Sequence, residues 1–176
     1  MTGRAAADDV LAGMLIEGDR VSIRPATPGD LLPLRRMHDR CSLDSRMHRW
    51  LGPVKSMPDD YLAGAVRNDP GHLALVAHVE RPRPAIVALA SAVHVSGTMW
   101  EIGILIEDRY QRHGLGSRLL DLLVSSAPPG RCRYLIADGL ADHQRLLSRL
   151  ARYGELTMSY DYSGVVHAVV KRTHGS

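Results

Sequence analysis

The chain has 176 residues and 19.3 kDa, 45% hydrophobic and 23% charged, with a net charge of +3 and a pI near 9.1. That length suits one domain burying about 70% of its unfolded surface without staples, and the composition excludes disordered and collagen-like chains. All 22 basic residues but Lys55 and Lys171 are Arg, a side chain suited to phosphate, but they are scattered among two Trp, six Tyr and no Phe, which argues against a nucleic-acid stacking platform.

Residues 1–18 are Ala-rich and read as an N-terminal extension, a short helix or a loose segment, ahead of a single domain over residues 19–173. The apolar run 10–16 follows Asp8 and Asp9 and lacks the basic leader of a signal peptide. No stretch approaches the roughly 20 apolar residues of a membrane span, so a cytoplasmic protein without a membrane partner is expected. Residues 20–27 alternate apolar and polar and read as a strand. Thr27-Pro28-Gly29-Asp30 starts a helix carrying Leu31, Leu32, Leu34 and Met37 at helical spacing. Shorter helices are expected over 43–50 and 61–66.

The period then changes. Residues 72–79, 85–93 and 99–106 read as three strands with short connections, an antiparallel meander. A helix follows over 114–124, then a strand at 132–140, a helix at 141–153, and strands at 156–162 and 165–170. Cys41 and Cys132 belong to no CxxC pair and read as reduced thiols outside any zinc site.

Gln111-Arg-His-Gly-Leu-Gly-Ser117 lies between a strand and an amphipathic helix. Its glycines let the backbone approach a ligand, and the unpaired first-turn amides and helix dipole suit a pyrophosphate. Arg112 and Arg118 add charge. Turn chemistry alone accounts equally well for two glycines at such a junction. Neither a P-loop nor a dinucleotide fingerprint fits: no Gly-Lys-Ser/Thr follows, and Leu119 stands where a third glycine would fall.

The Gln-x-x-Gly-x-Gly pattern, with Glu101-Ile-Gly-Ile-Leu-Ile106 before it and Ser117-Arg-Leu-Leu120 after it, resembles the acetyl-CoA-binding motif of the GCN5-related N-acetyltransferase (GNAT) superfamily. The order of elements agrees over residues 20–172. The resemblance implies an α+β fold, with a mostly antiparallel, splayed sheet of six to seven strands flanked by about four helices. It implies acetyl-CoA as acyl donor. No metal is expected, because the histidines show no HxH or HExxH spacing. Gln111, Arg112, His113, Gly114, Leu115, Gly116 and Ser117 would form the pyrophosphate cradle. Ile104, Leu105 and Ile106 would lie along pantetheine, with the Leu105 amide polarising the thioester carbonyl. His143 stands where the family places an Asn, and Leu150 where it places the Tyr that protonates the departing thiolate; Tyr153 is expected to pack rather than replace it. Cys41 and Cys132 lack an activating partner, so direct transfer is expected.

Glu101 precedes Leu105 by four residues, which puts both side chains on one strand face. An ammonium acceptor must lose a proton before attack, and a partly buried carboxylate there can accept it. The resemblance also implies a general base at Glu101. A strand-edge carboxylate paired with an Arg is the competing reading.

Cys41-Ser-Leu-Asp-Ser-Arg-Met-His-Arg-Trp-Leu-Gly-Pro53 is similar to the Ser-Pro-Glu-Ser-Arg-x-x-Arg-Phe segment of bacterial Pat-type protein lysine acetyltransferases. That likeness implies a protein lysine as acceptor. Arg46 and Arg49 share a helical face that either meets an acidic surface, lines the acceptor groove or faces solvent. A small-amine or antibiotic acceptor and a non-catalytic acyl-CoA sensor remain the alternatives, and a homodimer stays open.

Overall fold

The computed structural model describes residues 10–80, 83–128, 130–141 and 145–173. In chain order they form β1 (Ala12–Ile16), β2 (Asp19–Pro25), α1 (Leu31–Arg40), α2 (Leu43–Trp50), α3 (Asp59–Arg67), β3 (His72–Val79), β4 (Ala85–Ser96) and β5 (Met99–Ile106). There follow α4 (Leu115–Ser126), β6 (Tyr134–Leu140), α5 (Arg145–Leu150), β7 (Gly154–Tyr160) and β8 (Val165–Arg172). The strands make one sheet of eight in the order β1-β2-β3-β4-β5-β6-β8-β7. This is the expected α+β fold with one strand more.

The added strand is β1, which corrects the reading of residues 1–18 as a helix or loose segment. Glu17 and Gly18 both take positive φ, 48° and 87°, the backbone of a two-residue primed hairpin turn. β1 therefore folds back along β2 from Ala12–Ile23 to Ile16–Asp19. Strand alternation buries Ile16 and leaves Leu15 exposed. Pairing with a sheet edge outweighs the helix preference of an Ala-rich segment, which is a weak prior.

Every neighbouring pair is antiparallel except β5 and β6, and that parallel ladder has only three rungs: Met99–Tyr134, Trp100–Leu135 and Glu101–Ile136. Past Glu101, β5 stays with β4 as far as Ile106, while β6 follows β8 as far as Leu140. Each strand keeps its other neighbour, so the sheet opens between them.

Two apolar layers cover the sheet. α4 sets Leu115, Leu119, Leu120 and Leu123 on one face, over the short side chains of Ala88, Ala90 and Ala92. On the other, Leu34 and Met37 of α1 and Leu62 and Val66 of α3 pack with Val76, Leu89 and Leu105. β5 serves both layers by alternation, Ile102 and Ile104 to the first and Leu105 to the second.

The end of β2 is tied to the start of α1 by Arg24 and Asp30, which form two 2.7 Å hydrogen bonds with side chains only 11% and 6% exposed. Asp30 also accepts from the Thr27 amide at 2.8 Å and the Thr27 hydroxyl at 3.0 Å. Burial opposes its ionisation most, but the bonds from Arg24 and Thr27 outweigh it and hold the carboxyl below its ordinary 3.8. Asp30→Ala strands a buried guanidinium and should cost about 3–5 kcal/mol in urea unfolding. A depressed carboxyl pKa stabilises fully above the ordinary value and loses its effect as pH falls through the lowered one. Wild type should therefore lose stability more steeply than Asp30→Ala below about pH 4.

Candidate active site

A cavity of about 300 Å³ opens where β5 and β6 part. Its walls come from Ile104, Leu105 and Ile106, from Gly114 and Gly116 at the head of α4, from Asp138 and Gly139 of β6, and from α2. Most of the cradle and all three expected pantetheine positions thus meet in one cleft.

The head of α4 follows from its glycines. Gly114 caps the helix at φ 84°, a left-handed backbone that other residues adopt at a cost. A Cβ on Gly116 would stand 3.3 Å from Ile106 Cδ1, so glycine lets the helix start lie close against β5. The first helical backbone bond runs from Arg118 N to Gly114 O at 3.1 Å. It leaves the amides of Leu115, Gly116 and Ser117 unclaimed by the helix and directed past its end. Three such donors and the positive end of a twelve-residue helix fit an anionic diphosphate.

Gln111 and His113 have other partners. The Gln111 amide donates to Ser45 Oγ at 2.8 Å and to the Ile106 carbonyl at 2.9 Å, so it braces the loop against α2 and β5. His113 Nε2 lies 3.7 Å from Glu17 in the β1–β2 turn. Asp108 accepts from the Ser42 amide at 2.8 Å and from the hydroxyls of Ser42 and Ser45 at 2.5 and 3.0 Å. Burial raises the Asp108 carboxyl, but these bonds prevail and hold it below its ordinary value. Ser42 and Ser45 thereby join the 41–53 segment to the loop that precedes the cradle.

The ladder corrects the expectation for the Leu105 amide. Glu107 N donates to Val87 O on β4 at 2.9 Å, whereas Thr98 O accepts from Arg133 and Tyr134 on the β6 side. The β4–β5 register is unbroken from Ala88–Ile106 to His94–Trp100, and the one shift beyond adds a residue to β4, not to β5. Backbone groups alternate sides along a strand. Odd-numbered residues, Leu105 among them, therefore aim their amides at β4, and Ile102, Ile104 and Ile106 aim theirs into the opening. Residue spacing alone carries the side-chain alternation but not which edge each amide faces.

Glu101 closes the last rung of the parallel ladder, at the base of the opening and on the same strand face as Gly103 and Leu105. It is exposed, not partly buried as expected. The competing reading, a carboxylate paired with an Arg, does not hold among the described residues. Two carboxylates do line the cavity, Asp44 of α2 and Asp138, two residues beyond Ile136 on the facing strand; the second has a firm partner. It accepts from His167 Nδ1 at 2.8 Å, and this bond raises the His167 pKa. Sequence reasoning missed Asp138, although strand alternation from Ile136 would have placed it on that face.

Neither Leu150 nor Tyr153 offers a free acid to the cleft. Leu150 is fully buried. Tyr153 donates its hydroxyl to Asp121 on α4, and burial foremost, then that bond, pushes its pKa up. Both thiols are buried; burial above all raises Cys41 to about 12 and raises Cys132 as well. His143 lies outside the described residues. Among those described, no three His, Cys, Asp or Glu side chains are grouped to hold a metal ion, and no helix is long and apolar enough to cross a membrane.

Comparison with known proteins agrees with this geometry. The fold is similar to the GNAT domain of PAT from S. lividans, with a TM-score of 0.75 and 18% identity over 96% of this chain and 99% of that one. It is similar to a putative acetyltransferase from Salmonella typhimurium, solved with its cofactor acetyl-CoA, with a TM-score of 0.67 and 16% identity over 89% and 96%. It also matches a cAMP-binding acyltransferase from Mycobacterium smegmatis, with a TM-score of 0.60 and 21% identity over 95% of this chain and 49% of that one. These likenesses are of fold. No curated protein matches the chain. The model of the acetyltransferase (GNAT) family matches residues 36–154, a span that contains the splayed strand, the cradle and α5. The chain therefore belongs to the acetyltransferase (GNAT) family and is an N-acetyltransferase.

Proposed function

We propose that the protein transfers an acetyl group from acetyl-CoA directly to a primary amine, with a lysine side chain of a protein as preferred acceptor. The observation that carries this reading is the meeting of unpaired α4 amides and open-edge β5 amides in one cleft. The amides of Leu115, Gly116 and Ser117 bind the pyrophosphate, with Arg112 beside them on the cavity wall. Pantetheine runs along the open edge of β5 as an added strand would, bonded to the peptide groups that face the opening.

A cleft-facing amide, Ile104 or Ile106 in place of Leu105, polarises the thioester carbonyl. It stabilises the oxyanion when the amine attacks, where a fixed donor contributes most. Glu101 takes the proton of the acceptor ammonium, directly or through water. Collapse of the tetrahedral intermediate breaks the C–S bond and releases CoA as thiolate, which needs little acid help because thiols have pKa values near 8.5. The attacking nitrogen gives its surplus proton to that thiolate through water, leaving a neutral amide and CoA thiol. No covalent acyl-enzyme is needed, in keeping with two buried, poorly ionised thiols. The likeness of residues 41–53 to the Pat-type segment supports a protein lysine as acceptor.

Two expectations follow. Gly114→Asp and Gly116→Asp put a carboxylate among the cradle amides, and titration calorimetry should show CoA affinity falling more than about tenfold, or 1.4 kcal/mol. Normal binding by both variants would remove the cradle assignment. Glu101→Gln keeps shape but removes the proton acceptor, so turnover at pH 7 should fall by about 10²- to 10⁴-fold with CoA binding scarcely changed. The deficit should shrink as pH rises towards the lysine pKa near 10.4, where more acceptor is already neutral. A near-normal rate at pH 7 would make Glu101 a structural carboxylate.

A further inference from the structure

Arg49, near the end of α2, is half-buried and lines the cavity. Its guanidinium lies 4.3 Å from the centre of the Trp50 ring and 5.0 Å from that of Tyr61. Those rings hold one another edge to face at 5.0 Å, and the Tyr61 hydroxyl is fixed 2.6 Å from Ser91 Oγ. Gly103 makes the room: a Cβ there would run into Nη2 and Cζ of Arg49 and stand 2.8 Å from Nε. The aromatic wall and the missing side chain thus hold the cation against β5.

A guanidinium removed from bulk water ordinarily finds a carboxylate. Among the described residues Arg49 has no hydrogen-bond or ion-pair partner. The carboxylates on the cavity wall are engaged elsewhere, Asp44 at 3.4 Å from His48 and Asp138 at 2.8 Å from His167. Among the described residues the Arg49 N–H donors therefore have no acceptor.

Its place in the strand indicates what it meets. Gly103 is the next residue on the Glu101 face, about 7 Å along β5. An acceptor amine brought to Glu101 has this cation only a few bonds away. It repels a bare ammonium and attracts an anion carried beside the amine. We propose that Arg49 is an acceptor-recognition residue, pairing with a carboxylate held close to the acceptor amine, so that the acceptors are amino-carboxylates. This inference rests on the acyl-transfer reading above. The carboxylate comes from an Asp or Glu beside a target lysine in a polypeptide, or from a free amino acid.

The test uses two matched acceptor pairs: a lysine peptide flanked by Asp against the same peptide flanked by Asn, and a free amino acid against its amide. CoA release gives kcat/KM for each, and calorimetry gives acceptor affinity for the CoA-saturated protein. The carboxylate member of one pair should be favoured at least about tenfold, as expected of a charge-assisted bidentate bond; the pair that responds identifies the source. Arg49→Gln should bring that ratio near one, and Arg49→Glu should favour a peptide flanked by Arg. Gly103→Ala retains the charge but displaces the guanidinium, and should also lower the ratio. Tighter carboxylate binding without acetyl transfer would support this proposal while refuting the acyl-transfer reading. Ratios near one in both pairs by both measurements, or a ratio unchanged in Arg49→Gln, would overturn it.

Discussion

The brevity of one parallel ladder governs the site. β5 and β6 share three rungs and then separate, because each is held more extensively by its antiparallel neighbour. Beyond Glu101 the cleft-facing amides of β5 have no strand to bond. Unpaired peptide groups of this kind cost about 1–3 kcal/mol each once water is withdrawn. An open edge therefore binds any extended polar chain that supplies alternating donors and acceptors. The cavity, the unpaired amides of β5 and the place of Glu101 are all consequences of this parting.

The head of α4 must then be held at one end of the opening, and two segments distant in sequence, the start of α2 and the N-terminal hairpin, help to hold it. Gln111 bridges α2 and the β5 carbonyl at Ile106. Asp108 gathers Ser42 and Ser45. The N-terminal hairpin contributes Glu17 to Arg109 at 3.3 Å and Asp19 to the Tyr110 hydroxyl at 2.8 Å. These polar bonds around a glycine-lined turn leave its outward amides free while fixing where they point, which is the preorganisation that electrostatic stabilisation requires. The conformation has a local cost, since Arg112 as well as Gly114 takes positive φ.

The two walls of the cleft differ in electrostatic character. On β6 the Asp138 carboxylate is matched by His167, and on β5 the exposed Glu101 has no ion-pair partner among the described residues. α2 adds Arg49, carried on aromatic rings instead of a carboxylate. A carboxylate and a guanidinium, each without an ion-pair partner among the described residues, thus lie within one strand period of each other.

Alternation and turn residues in the sequence were enough to outline β2 through β8 and the helices between them, because apolar period and Gly/Pro punctuation are local properties. The glycine-capped start of α4, the candidate cradle, was legible for the same reason: glycines at a strand-to-helix junction define a local backbone. β1 was not, since Glu17-Gly18 lacks the Asn-Gly or Asp-Gly signature of a hairpin and its strand exists only by pairing with β2. The edge faced by each β5 amide was equally hidden, because side-chain period assigns faces, whereas ladder register with β4 assigns edges. Gln111 was read as part of the cradle, but its side chain braces Ser45 and the Ile106 carbonyl, a role visible only once those groups are brought to it. Gly103 carries no mark in the sequence beyond being a glycine in a strand. What gives it meaning is a guanidinium 54 residues earlier in the chain, set over it by the packing of α2 on the sheet. Local pattern determined the elements and the anion cradle; long-range packing decided which charges face the cleft, because a charge acts through its position in space and not through its neighbours in sequence.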